Sequence, residues 1–137
     1  MISLLASAAR TASGMSVLSI PVLRTVRGAV FLFNVSAASA DITDTLDLYI
    51  QGSVDGTNYS DFVHFTQVKG NGGPKVYEAR WFRDISPETE LDALSDKAMA
   101  VGVSQGPQAN SNWRAAWVIE GGSNKSFTFS LMADLFR

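Results

Sequence analysis

Residues 45–68, TLDLYIQGSVDGTNYSDFVHFTQV, restrict this chain more than any other stretch. Leu46, Leu48 and Ile50 fall on one side of an extended chain, and Asp47, Tyr49 and Gln51 on the other. Strand side chains alternate between the two faces of a sheet, so this arm should bury one face and solvate the other. Asp55-Gly56 tolerates positive φ and commonly turns a hairpin. The second arm, 62–68, is again β-branched and aromatic. The stretch reads as a β-hairpin, and its chemistry is that of packing.

Other strands follow the same period. Residues 15–23 carry Val17, Ile20, Val22 and Leu23 around Pro21, which cannot donate a ladder bond, so this strand belongs at an edge or a bulge. In 29–35, Phe31, Phe33 and Val35 share a face while Val30 and Leu32 make the other apolar, as in a central strand. Residues 76–82 set Tyr77, Ala79 and Trp81 against Val76, Glu78, Arg80 and Phe82. A short apolar strand follows at 98–103. In 113–120, Trp113, Ala115, Trp117 and Ile119 oppose Arg114, Ala116, Val118 and Glu120. The last strand, 126–136, sets Phe127, Phe129, Leu131 and Ala133 against Thr128, Ser130, Met132 and Asp134.

The connections divide into three kinds. Gly121-Gly122-Ser123-Asn124 reads as a second hairpin turn. Segments 36–44, 69–75 (KGNGGPK) and 104–111 are turn-forming loops, and 69–75 is the most flexible by composition. Ser86, Pro87, Glu88 and Glu90 supply a cap, a first-turn proline and first-turn negative charge, so a short helix is expected over 87–95.

About eight strands with one helical crossover and no βαβ pattern imply an all-β fold, either a two-sheet antiparallel sandwich or a closed barrel. The long connections suit strands that change sheet, which favours a jelly-roll-like sandwich over 15–137, preceded by an arm at 1–14. That arm is not a signal peptide, because Arg10 follows the apolar run instead of leading it. Ala and Leu would support a helix over 2–12 ended by Gly14. Alone in water so short a helix is marginal, so the arm is either frayed or ordered against a neighbouring subunit.

Composition excludes several classes. The chain has no cysteine, which removes disulfides and thiolate metal sites. Eleven Lys and Arg against thirteen Asp and Glu, with no basic cluster, argue against nucleic acid. No apolar run is long enough to span a membrane. Charged residues make up 18 %, below the usual share of about 25 %, as in a surface partly covered by other subunits.

The search for catalytic chemistry returns little. His64 is the one histidine; within an aromatic strand, and with no G-x-S-x-G or cysteine to serve, it reads as a hydrogen-bonded structural residue. Asp41, Asp44, Asp47 and Asp55 bracket the hairpin, but their spacing fits turn capping better than a glycosidase pair or a calcium loop. Gly70, Gly72 and Gly73 precede a proline and a strand, not the helix N-terminus that a phosphate cradle needs. Tyr59, Trp81, Trp113 and Trp117 suit a sugar platform on composition alone, while Trp117, Phe33 and Phe129 fit core positions better and Tyr59 stays open as an exposed ring. The sequons at Asn34, Asn58 and Asn124 have no secretory signal to give them meaning. No residue is assigned a catalytic, cofactor-binding or metal role.

The stretch from Leu46-Asp47 through Tyr49-Ile50-Gln51, Ser53, Asp55-Gly56, Asp61-Phe62 and His64-Phe65-Thr66-Gln67 to Gly70–Gly73 resembles a segment of small virion proteins of tailed bacteriophages. The closing SFTFSLMADLFR resembles their C-terminal strand. The likeness covers about a third of the chain, carries no catalytic motif and does not extend to the N-terminal third. It implies a non-enzymatic head decoration, or cement, protein on the capsid surface, made in the host cytoplasm. It further implies the major capsid protein as partner, homo-oligomers with trimers favoured, and no cofactor, nucleic acid or membrane. On that reading the 1–14 arm and the loops at 69–75 and 104–111 contact capsid or sister subunits. A carbohydrate-binding module and a head-closure or tail protein are the alternatives.

Overall fold

The structure, a computed structural model, describes residues 1–18, 27–82, 97, 100–101, 103–104 and 112–136; for 81, 82, 103 and 104 it describes the backbone alone. Ten strands result: β1 (Ile2–Arg10), β2 (Gly14–Leu18), β3 (Gly28–Ala37), β4 (Thr45–Ser53), β5 (Ser60–His64), β6 (Val68–Lys69), β7 (Lys75–Phe82), β8 (Val103–Ser104), β9 (Asn112–Glu120) and β10 (Phe127–Phe136). They form two antiparallel sheets, one ordered β1-β10-β3-β7 and the other β2-β9-β4-β5-β8, with β6 beside β4. Leaving out the two-residue β6 and β8, every connection but one carries the chain from one sheet to the other. The exception is β4 to β5. This is the jelly-roll winding, a sandwich whose inner faces pack against each other.

The alternation read from the sequence sets the inner faces. Phe31, Phe33 and Val35 of β3 and Phe127, Phe129, Leu131 and Ala133 of β10 meet Leu46, Leu48 and Ile50 of β4 and Ala115 and Ile119 of β9. Aromatic rings meet edge to face between the layers, Phe31 to Phe62 and Trp117 to Phe129, each at 5.9 Å between centroids, and within them, Phe33 to Phe129 at 5.7 Å and Phe62 to Trp113 at 4.6 Å. Such pairs add about 0.5–1.5 kcal/mol each beyond the area they bury.

Several expectations change. Residues 2–10, inside the stretch expected to be helical or frayed, are strand β1, paired from Ile2↔Ala133 to Arg10↔Phe127. The helix preference of Ala and Leu amounts to tenths of a kcal/mol per residue. Pairing along β10 and burial of Leu5 outweigh it. The pairing breaks register between Ser3 and Leu5 and between Leu5 and Ala8. Arg10 spans this distortion, its guanidinium donating to the carbonyls of Ala6 (3.0 Å), Ala8 (3.0 Å) and Phe129 (2.8 Å).

Gly121-Gly122 is no hairpin turn. β9 and β10 lie in different sheets, so residues 121–126 cross the sandwich. The local composition signalled a reversal correctly, but a reversal does not say whether the returning strand pairs beside its predecessor or stacks above it. The second hairpin arm is interrupted at 65–67, between β5 and β6. Of the edge strand expected at 15–23, residues 15–18 are in β2, at the margin of its sheet, and 19–23 lie outside the described residues. Of the strand expected at 98–103, Val103 lies in β8 and residues 100 and 101 are not strand, while 98, 99 and 102 lie outside the described residues. The helix expected over 87–95 and the loop residues 105–111 lie outside the described residues.

Candidate functional site

With Leu46, Leu48 and Ile50 turned inward, Asp47, Tyr49, Gln51 and Ser53 must point from the opposite face of β4, where solvent was expected. That face is buried. Gln51 is 0 %, Asp61 1 % and His64 4 % exposed, and Tyr49 and Ser53 are buried beside them. Polar groups withdrawn from water require partners. Here two hydrogen-bonded groups, joined by the stacked rings of His64 and Tyr49, provide them.

His64 Nε2 lies 2.8 Å from Asp47 Oδ1, and Gln67 Nε2 donates to Asp47 Oδ2 at 2.8 Å, so both carboxylate oxygens are engaged. The imidazole stacks on the Tyr49 ring with centroids 4.0 Å apart. Further along the face, Arg114 Nε donates to Gln51 Oε1 (2.6 Å), and Gln51 Nε2 donates to Asp61 Oδ1 (2.7 Å). The Lys97 amide also donates to Asp61 Oδ1 (2.9 Å), and the Tyr49 hydroxyl donates to the Lys97 carbonyl (3.4 Å). The Arg114 guanidinium lies 3.8 Å from the centre of the Tyr59 ring, so Tyr59 is half-buried under a cation and not an open platform.

This arrangement holds strands together. Asp47 and His64 have the residue types of a base and its orienter, and the ring is enclosed against Tyr49 at 4 % exposure. Burial, reinforced by the charges of Asp47, Asp61 and Glu120, pushes the Tyr49 phenol up to about 12, so it stays protonated and acts as a donor at ordinary pH. The structural role expected of His64 is the one its contacts describe.

The acids that bracket the hairpin are not brought together. Asp55 caps the β4–β5 loop: its carboxylate accepts from Ser53 Oγ, the amides of Thr57 and Asn58, and Asn58 Nδ2, all between 2.7 and 2.9 Å. These bonds, the Asn58 amide foremost, hold the carboxyl well below the usual carboxylate range. Asp41 caps its own turn through the Thr43 amide and hydroxyl, which also lower it. The whole of β4 separates Asp55 from Asp41 and Asp44. Among the described residues no group of three or more His, Asp or Glu side chains is placed to hold a metal.

Asp44 does something that its spacing did not announce. Buried at 2 % exposure, it accepts the Gly122 amide at 2.9 Å and thereby anchors the crossing from β9 to β10. Its carbonyl accepts the Gly70 amide (2.8 Å), and the Ser39 carbonyl accepts that of Asn71 (2.5 Å). Ser39 Oγ donates to the Ser126 carbonyl (2.9 Å) and accepts the Ser126 amide (2.6 Å). Three connections, 38–44, 70–74 and 121–126, are thus tied into one end of the sandwich. The loop expected to be most flexible is fastened at Gly70 and Asn71.

The aromatic platform does not form among the described side chains. Trp113 is buried between Phe31 and Phe62. Trp117 is half-buried, edge-on to Phe129 at 5.9 Å, with Nε1 donating to the Ala12 carbonyl at 3.0 Å. Core packing holds for Phe33 and Phe129, both fully buried. The Trp81 side chain lies outside the described set. No spacing in the sequence joins Arg114, Gln51 and Asp61, because what unites them is the register Arg114↔Gln51↔Asp61 across three strands. Comparison with protein-family models, with characterised proteins and with solved structures gives no match.

Proposed function

We propose that the chain is a non-enzymatic structural protein of a virion, a decoration or cement protein that binds the outer surface of the major capsid lattice and stabilises the head. One observation carries this reading: the residues in which the sequence resembles small phage virion proteins are bonded to one another. Asp47 holds His64 and Gln67, Gln51 holds Asp61, and Ser53 holds Asp55 and Gly56. Gly70 and Asn71 hang from the β3–β4 connection. The shared pattern therefore builds a body.

A stiff sandwich with fastened loops suits binding to a repeating surface. The connections tied together at 38–44, 70–74 and 121–126 keep a fixed geometry, so little ordering entropy is lost there on attachment, and repeated contacts across neighbouring subunits raise effective concentration. On this reading the protein is made in the host cytoplasm and joins the particle there, as an oligomer whose copies share the lattice. Quantitative mass spectrometry of purified particles tests it. A copy number comparable to that of the major capsid protein is expected. Absence from the particle, or only enough copies for a single ring at one vertex, would overturn the assignment.

A further inference from the structure

Asn71 is the one asparagine followed by glycine, and it sits where the fastened part of its loop ends. The two clamps are the Gly70 amide on the Asp44 carbonyl and the Asn71 amide on the Ser39 carbonyl. Both lie upstream of the bond between Asn71 and Gly72. From Gly72 the chain is exposed as far as Lys75, where β7 pairs with Val35. A β-carbon added at Gly73 would meet nothing within 4 Å. Asn71 is exposed too, and among the described residues no hydrogen bond engages its side-chain amide.

The backbone at Asn71 is left-handed, with φ at 60°. An asparagine closes on itself when the next main-chain nitrogen attacks its side-chain carbonyl carbon. The five-membered ring sets that nitrogen beside Cβ and so turns ψ to about −120°, which with φ at 60° is the first central position of a type II′ turn. Asn71 thus already holds the φ that the ring takes, one that most L-residues avoid. Only ψ has to turn, and Gly72 and Gly73, on the unfastened side, absorb the movement. Glycine at 72 also has no side chain to shield the attacking nitrogen.

We propose that Asn71 is a site of spontaneous modification, at which the folded protein converts asparagine to aspartate and isoaspartate through a cyclic imide. Gly72 N forms a bond to Asn71 Cγ, the Cγ–Nδ2 bond breaks, and Nδ2 leaves as ammonia with the proton given up by Gly72 N. Water then opens the imide. Attack at Cγ gives aspartate in the ordinary main chain, and attack at the main-chain carbonyl gives isoaspartate, with the chain continuing through Cγ. Either product adds one negative charge. Neither disturbs the clamps, which use the amides of Gly70 and Asn71, so the fold persists. Asp55-Gly56, the comparable acid-glycine pair, is closed to this chemistry. Its carboxylate is held ionised by Ser53, Thr57 and Asn58, a poor target for attack, and the Gly56 amide donates to Ser53 Oγ at 2.9 Å. The modification does not depend on the capsid reading.

The full chain, incubated in mildly alkaline buffer with and without guanidinium chloride, tests it. Trypsin then releases residues 70–75, in which mass spectrometry follows loss of the amide and enzymatic methylation counts isoaspartate. Unfastened backbone opens at almost no cost, so native and unfolded rates are expected to agree within about threefold. Asn34, Asn58 and Asn124 should keep their amides over the same period, and Asp55 should give no isoaspartate. Hydroxylamine, which cleaves the imide, should cut the native chain after Asn71. Asn71→Gly, which suits the left-handed backbone and has no side chain to close, should abolish the cut. The converted protein should bind an anion exchanger more tightly and melt at the native temperature. A native rate slower by roughly tenfold or more would overturn the proposal. So would earlier conversion at another asparagine or at Asp55, a native chain left whole by hydroxylamine, a cut that survives Asn71→Gly, or a lowered melting temperature after conversion.

Discussion

Replacing Gly70 with alanine should cost far more than the same change three residues later. A β-carbon at Gly70 would enter the Asp41 carbonyl group, 2.6 Å from its carbon and 3.1 Å from the Ser39 oxygen, all of it main chain. The Asp41 oxygen is nearer still, at 1.7 Å, and a β-carbon does not approach a carbonyl oxygen much within about 3 Å, so segments 38–44 and 69–71 must part by about 1.3 Å or more. That stretches the Gly70 to Asp44 bond from 2.8 Å, and the Asn71 to Ser39 bond from 2.5 Å, toward or past the bonding limit. Two such bonds contribute about 1 kcal/mol each, and buried groups left without partners raise the loss. Alanine returns about 0.4–1 kcal/mol by stiffening the unfolded chain. The expected net cost is about 2–4 kcal/mol, or roughly 5–12 °C in melting temperature for a domain of this size. At Gly73 nothing lies within 4 Å of the added carbon. There the only cost is the left-handed backbone at φ 69°, about 1 kcal/mol. Urea unfolding followed by tryptophan fluorescence, compared at a common slope, separates the two. Equal midpoints for Gly70→Ala and Gly73→Ala would refute the claim that this loop is clamped.

Two further outcomes follow from the same geometry. The Asp55 carboxyl sits lower in the fold than in the unfolded chain, so its stabilisation is complete above the ordinary carboxylate value of about 4 and disappears as pH falls below it. Native and Asp55→Asn chains should therefore differ in urea midpoint at neutral pH and converge on acidification; a gap that stays constant down to low pH contradicts this assignment. Removing residues 1–10 strips β1 from β10 and uncovers the inner face that Leu5 helps to close. The shortened chain should lose cooperative unfolding, and a sharp transition at the native temperature would show that β1 is dispensable.

Much of the architecture was legible because side-chain alternation reports which face of a strand is buried. Phe31, Phe33 and Val35, or Leu46, Leu48 and Ile50, can be placed inward with no knowledge of their partners. What alternation omits is which strand lies alongside. Hence the crossing at 121–126 looked like a hairpin, and the polar face of β4 looked solvated. The Gln51–Asp61–Arg114 chain exists only through the register of three strands far apart in sequence. Residues 2–10 were misjudged for a related reason: Ala, Leu and Ser favour helix locally, while the sheet margin that recruits them is built from the far end of the chain. Turn capping by Asp41 and Asp55 was readable because it is local, a side chain bonding amides two or three residues onward.

The union of the first strand with the last, Ile2 with Ala133 and Arg10 with Phe127, has a consequence for biogenesis. On the ribosome β1 emerges long before β10 exists, and β2 must likewise wait for β9. The nascent chain therefore cannot close its sheets progressively; completion waits for β10, and folding should run on the slower millisecond-to-second scale of high contact order. During that interval the least charged part of the sequence is also the part with nothing to pair with, which makes dilute refolding, or a chaperone in the cell, the condition for a good yield.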